Sequence, residues 1–341
     1  MNILITGGCG FLGVRLARTL LAMDSLSLAG GAMQGISQIT LADRAPPPED
    51  LAHDPRIVYA AGDLVAQLES RHLPAAGTAL IFHLAAAVSG ECEADFDLGM
   101  RANLDATRVL LENCRALSAQ TGSAPVLVFS SSLAVYGDTA SLPLPAELDD
   151  ATLPTPQSSY GIQKFIGEQL VADYTRKGFV RGRSVRLMTV SVRPGRPNGA
   201  ASSFLSGMLR EPLNGQRAIC PVPASTAVVL SSPARAIEGL LCAAQTADAA
   251  WGSLTAMNLP GLMTTVAEMA QALERVGGKA ASALLDWQID PKIERIVSSW
   301  PRRMRADRAA ALGLRPDASF EQVVRDYVRE NPQAVTLNAA G

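Results

Sequence analysis

The chain has 341 residues, of which 48% are hydrophobic and 18% charged, and its formal net charge is -2. That length exceeds a typical single core, so one large domain with a smaller companion is expected. The near-neutral balance, with no basic run longer than Arg302-Arg303, argues against a nucleic-acid partner, and the lack of a long uninterrupted apolar stretch argues against a membrane span.

The first element is legible at once. Asn2-Ile3-Leu4-Ile5-Thr6 reads as a hydrophobic strand that runs directly into Gly7-Gly8-Cys9-Gly10-Phe11-Leu12-Gly13. A first strand at residue 2 leaves no room for the charged start of a signal peptide, so a cytoplasmic protein is expected. The helix that follows spans 11–23. The Gly- and Ser-rich stretch 25–35 reads as an enlarged connection. Further strands are predicted over 38–42, 56–60, 79–84, 126–130 and 184–190, and long helices over 94–119 and 158–177. Strand–helix alternation of this kind, with continuously apolar strands, implies a parallel sheet covered on both faces. The expected fold is α/β, a Rossmann-type doubly wound parallel sheet with a smaller C-terminal α/β substrate domain.

After residue 190 the rhythm changes. A loop, Arg193-Pro194-Gly195-Arg196-Pro197-Asn198-Gly199, leads into a helix near 202–213, and prolines punctuate the remainder. We expect a dinucleotide-binding domain over 1–190, with later sheet pieces near 225–260, and a substrate-binding domain over 191–224 and 261–341.

Three glycines, Gly7, Gly10 and Gly13, stand where the first strand gives way to a helix. A dinucleotide's pyrophosphate must approach backbone N–H groups there, and the helix N-terminus attracts phosphate. Phe11 and Leu12 lie within that turn. Asp43, at the end of the second strand, can accept hydrogen bonds from the adenosine ribose hydroxyls, and its charge repels a 2′-phosphate. NAD is therefore the expected cofactor, although Arg44 beside it is a cation that could pair with such a phosphate. Asp63 and Leu64 follow the third strand, in place to meet the adenine. Leu84, Ala85 and Ala86 close the fourth strand with residues suited to the nicotinamide ribose. His83 reads as a packed core histidine. Asn103 and Pro194 complete the expected cofactor contacts.

Tyr160 and Lys164 are four apart on a predicted helix and so share a face. A free phenol ionises near pH 10, and a nearby ammonium favours its phenolate. Ser132, the last of the triplet Ser130-Ser131-Ser132, is suited to hydrogen-bond a substrate oxygen beside Tyr160. The five cysteines (Cys9, Cys92, Cys114, Cys220 and Cys242) are scattered without CxxC spacing, as are His53, His72 and His83. They imply reduced thiols and no metal site.

As a set, the turn Thr6–Gly13, the stretch Phe129–Gly137 and Tyr160-x-x-x-Lys164 resemble the extended short-chain dehydrogenase/reductase family, which includes nucleotide-sugar epimerases, dehydratases and dehydrogenases. The resemblance implies that Ser132 is the catalytic member of the serine triplet. The segments 88–99, 155–161, 190–198 and 210–215 further resemble the sugar-acid dehydrogenases of that family. This implies oxidation of a four-carbon sugar acid, D-erythronate, at C2 to 2-dehydro-D-erythronate, with NAD as acceptor. Dehydratases of the family carry Asp and Glu after the catalytic hydroxyl, whereas Leu133-Ala134 follow Ser132 here. A nucleotide-sugar 4-epimerase stays open, and a non-catalytic redox sensor is opposed by the intact Ser132, Tyr160 and Lys164. An acid substrate needs a cation, for which Arg193 and Arg196 are candidates. Arg196 with Asn198 is the preferred pair, alongside Ser89 and Ser203. By analogy with the family, the two long helices are expected to form a homodimer interface.

Overall fold

A computed structural model describes residues 1–195 and 199–337. Seven strands form the central sheet: β1 (Asn2–Thr6), β2 (Gln38–Asp43), β3 (Ile57–Ala61), β4 (Thr78–His83), β5 (Val126–Ser132), β6 (Arg181–Leu187) and β7 (Met257–Asn258). Their spatial order is β7-β6-β5-β4-β1-β2-β3. The pairings of β1 with β2 and β4, of β2 with β3, and of β4 with β5 are parallel. The order reverses between β1 and β4, which opens a crevice beyond their carboxyl ends where an open α/β sheet takes its ligand. Ile3, Leu4 and Ile5 of β1 and Val126–Phe129 of β5 are all buried, the mark of strands with helices on both faces. The doubly wound expectation holds.

Three helices matter for the site: α1 (Phe11–Met23), α2 (Ala106–Thr121) and α3 (Ser159–Arg176). The expected helix over 94–119 is not one piece. It is built from Ser89–Ala94, Phe96–Gly99, a π-helical segment Met100–Asp105 and then α2. Asp95 is extended (φ -138°, ψ 98°) and breaks the run, because its carboxylate accepts from Leu98 N at 2.9 Å and restarts the helix there. The expected strand over 184–190 is also divided. β6 stops at Leu187, and Thr189–Val190 pairs instead with Ala227–Ser231 in a separate sheet completed by Leu262–Thr265. The stretch 25–35 is a small antiparallel hairpin, Ser25–Ser27 against Met33–Gly35.

The described residues divide into two compact units. One comprises 1–135, 158–186 and 237–257; the other comprises 136–157, 187–236 and 258–337. In the first, Leu4, Ile81, Leu127 and Phe129 of the sheet pack with Leu110, Leu111 and Cys114 of α2 and Val171 of α3. In the second, helix Phe204–Leu213 packs Leu205, Met208 and Leu209 against Met269, Leu273, Val324 and Tyr327. Among the described residues no helix is long and apolar enough to cross a membrane.

Candidate active site

The turn between β1 and α1 is built for close approach. Gly7 is left-handed (φ +67°), and a Cβ on Gly13 would stand 2.2 Å from the Gly7 carbonyl oxygen. Only without side chains can the helix start this close under the strand. Gly10 caps α1 with no side-chain hydrogen bond, and the first turn holds no acid. The first N–H groups of a helix have no intrahelical acceptor, and here neither a cap nor a carboxylate takes their place. Such a cradle fits the pyrophosphate of a dinucleotide.

Asp43 ends β2 beside that turn. Its Oδ2 accepts from Cys9 N at 3.0 Å and its Oδ1 from Ala45 N at 3.1 Å. A carboxylate has about four acceptor sites, so two remain for ribose hydroxyls. Asp63 caps the helix Leu64–Glu69 through Ala66 N at 3.1 Å and also receives the guanidiniums of Arg44 and, at 2.9 Å, Arg101. Those partners, Arg44 foremost, hold its carboxyl at about 2. Leu84, Ala85 and Ala86 leave β4 half-buried, and a Cβ on Gly7 would come within 2.9 Å of Ala85 N. The glycine turn and the end of β4 thus close on one another.

His83 is a core residue. Thr107 Oγ1 donates to Asn103 O at 2.6 Å, so its oxygen accepts from His83 Nε2 at 3.0 Å, while Thr6 Oγ1 donates to Nδ1 at 2.7 Å. Burial, with Lys164 nearby, pushes the imidazole down to about 3, so it stays neutral. Asn103 is also buried. It clamps the backbone of Ala87 from both sides, accepting from its N at 2.8 Å and donating to its O at 3.2 Å, and donates to Gln163 Oε1 at 2.8 Å. These bonds tie the π-helical segment to α3.

The serine triplet divides into three tasks. Ser130 donates to His83 O at 2.9 Å and Ser131 to Glu168 Oε1 at 2.5 Å, both buried. Ser132 alone is half-buried, and its Oγ accepts from Ala134 N at 3.1 Å. Its hydroxyl proton remains free to meet a substrate oxygen. Ser158 caps α3 by accepting from Gly161 N at 3.1 Å, which starts the helix just before half-buried Tyr160. Lys164 lies on the same face. Its Nζ donates to Ser130 O at 2.8 Å and stands 5.0 Å from the Phe129 ring centroid and 5.7 Å from that of Tyr160. A Cβ on Gly167 would fall 2.6 Å from Phe129 Cζ, so this glycine lets α3 lie against β5 and brings the lysine there. Burial lowers Lys164 to about 8, opposed by Cys92 and Glu168.

Sequence reasoning missed what stands behind the lysine. Glu168 is buried and takes a forked pair from Arg186, Nε to Oε1 at 2.9 Å and Nη2 to Oε2 at 2.7 Å, besides the Ser131 hydroxyl. The spacing Tyr160, Lys164, Glu168 was the available signal, since it puts all three on one helical stripe. Ser89 opens its short helix half-buried. Pro194 and Ser203 belong to the second unit. Pro194 is half-buried, and Ser203 ends a single 3-10 turn, its N donating to Ala200 O at 2.9 Å. Arg193 sends Nε to Val190 O at 3.0 Å. Arg196 and Asn198 lie outside the described residues.

A doubly wound sheet with an uncapped glycine turn at its first crossover is that of a dinucleotide-binding enzyme. The model of the NAD dependent epimerase/dehydratase family matches residues 3–231. A D-erythronate dehydrogenase of Cupriavidus necator is 48% identical over 97% of this chain and 98% of its own length. Another, of Haemophilus influenzae, is 40% identical over 96% and 99%. The solved structure of the nucleoside-diphosphate-sugar epimerase from Agrobacterium tumefaciens superposes with a TM-score of 0.89 at 39% identity, covering 98% of this chain and 95% of that one. The chain belongs to the NAD dependent epimerase/dehydratase family, and NAD is its cofactor.

Proposed function

We propose that this protein oxidises D-erythronate at C2 to 2-dehydro-D-erythronate. The observation that carries the reading is near-full-length similarity, at 48% and 40% identity, to two D-erythronate dehydrogenases. The first unit binds NAD and the second contributes to substrate binding. The turn Gly7–Gly13, with the backbone of Phe11 and Leu12, holds the pyrophosphate. Asp43 takes the adenosine ribose, Asp63 and Leu64 the adenine, and Leu84–Ala86 with Pro194 the nicotinamide end. NAD held there would supply the acceptor for the C2 hydride. Tyr160, as phenolate, receives the proton of the C2 hydroxyl, and Ser132 holds that oxygen in line. Lys164 keeps positive charge by the phenol and offers its two remaining N–H groups to the ribose hydroxyls. Asn103, which fixes Ala87 against Gln163, is assigned to the cofactor as well. Arg196 and Asn198, with Ser89 and Ser203, are assigned to the substrate and its carboxylate.

The test is NADH formation with D-erythronate, L-threonate and several UDP-sugars, each with NAD and with NADP. Reduction of NAD by D-erythronate is the expected result. The name of the Agrobacterium structure favours a second reading, a nucleotide-sugar 4-epimerase. Interconversion of a UDP-sugar, with the acids inert, would establish that reading and end the first.

We further propose a cytoplasmic homodimer paired through α2 and α3. Ile162 and Ile166, one turn apart on α3, are 46% and 37% exposed, an apolar stripe that suits a helix partner. The five cysteines are free thiols, in keeping with a reducing compartment. Light scattering at micromolar concentration should return twice the chain mass; a monomer mass would refute the dimer.

A further inference from the structure

Arg44 is a cation of the adenosine rim whose charge runs against a preference for NAD. It follows Asp43 directly, where an arginine fork could take a 2′-phosphate. The structure shows the guanidinium turned elsewhere. The backbone on either side is fixed: Asp43 accepts from Ala45 N at 3.1 Å, and Tyr59 donates its hydroxyl to Arg44 O at 3.3 Å. From that anchor the side chain reaches Asp63 Oδ2, while Arg101, from the π-helical segment, takes Asp63 Oδ1 at 2.9 Å. Asp63 is itself held in place as a helix cap through Ala66 N. It is ionised throughout the neutral range, being held at about 2.

We propose that Asp63 is a specificity-determining residue: by holding the Arg44 guanidinium, it withholds from a 2′-phosphate the cation that stands beside Asp43, and so selects NAD against NADP. Two carboxylates and two guanidiniums then balance at the rim, with no net positive charge for an added phosphate dianion. Asp43 repels that phosphate, and Asp63 removes the group that would compensate. Arg44 and Arg101 are 70% and 50% exposed as side chains, so each pair is individually weak and the expected effect is modest. The inference rests on the placement of the adenosine ribose at Asp43.

The experiment is titration calorimetry of the purified protein with NAD and with NADP at low salt, with no substrate present. Wild type should bind NAD more tightly. Asp63→Asn keeps an oxygen for the helix cap and should shift the NADP-to-NAD affinity ratio toward NADP by about fivefold to tenfold. Arg44→Ala in the Asp63→Asn background should return the ratio to the wild-type value. The proposal is overturned if wild type binds both cofactors equally, if Asp63→Asn leaves the ratio unchanged, or if the shift survives without Arg44. Asp43→Ala separates the two questions. Undiminished NAD affinity in that variant would move the ribose away from Asp43 and refute the placement, whatever the activity assay says of D-erythronate.

Discussion

Tyr160→Phe is expected to lower kcat by about three orders of magnitude while NAD affinity stays within about twofold of wild type. The substitution removes one oxygen and nothing else. The ring stays where Lys164 Nζ stands 5.7 Å from its centroid, and the Ser158 cap that starts α3 is untouched. What goes, on the proposed reading, is the group that exchanges a proton with the C2 oxygen. On the proposed reading Ser132, whose Oγ accepts from Ala134 N, holds that oxygen and does not take its proton. Single-turnover NADH formation, paired with an NAD titration by intrinsic fluorescence, separates chemistry from binding. Turnover near the wild-type rate would remove Tyr160 from the role of base. Loss of NAD binding in step with activity would make it a cofactor contact first.

Much of the doubly wound half was legible because its signals are local. Asn2–Thr6 is an apolar run with a glycine turn behind it, and α1 follows at 11–23 as the pattern predicts. The breaks in the expected long helix and long strand were not legible, and the reason is tertiary. Nothing in 94–119 announces that Asn103 will clamp Ala87 and Gln163, or that the segment around it will widen to a π turn. Nothing in 184–190 says that Thr189–Val190 will find a different sheet. At the candidate site, the shared helix face of Tyr160 and Lys164 was readable from spacing, and the choice of Ser132 came from the triplet with the family resemblance. The separate tasks of Ser130 and Ser131 depend on His83 and on Glu168, from other parts of the chain. Arg44 shows the limit most clearly. Its neighbour Asp43 is local, but its partner Asp63 lies one strand further on and is met only once β2 and β3 pair.

Lys164→Met should abolish most turnover and yet give a more stable protein at neutral pH. Lys164 is buried, and the folded state lowers it from 10.5 to about 8. Below pH 8 the amine is charged in both folded and unfolded chains, so the folded state carries the full cost of a dry ammonium, about 3 kcal/mol. Methionine of similar length removes that cost and forfeits the hydrogen bond to Ser130 O, worth about 1–2 kcal/mol. The variant should therefore gain about 1–2 kcal/mol at pH 7 in urea unfolding. Between pH 8 and 10.5 the folded wild type gives up its proton before the unfolded chain does, so the stability of the wild type rises and the gap closes. Titrating groups away from Lys164 are common to both proteins and cancel in the difference, and His83, lowered chiefly by its burial, stays neutral at pH 7 and above. A variant less stable than wild type at pH 7, or a gap that does not change with pH, would show that the ammonium is well solvated in the fold. The cost has a function on this reading. The Phe129 ring and the close packing of α3 on β5 keep water from Lys164, so its charge, 5.7 Å from the Tyr160 ring centroid, is weakly screened there.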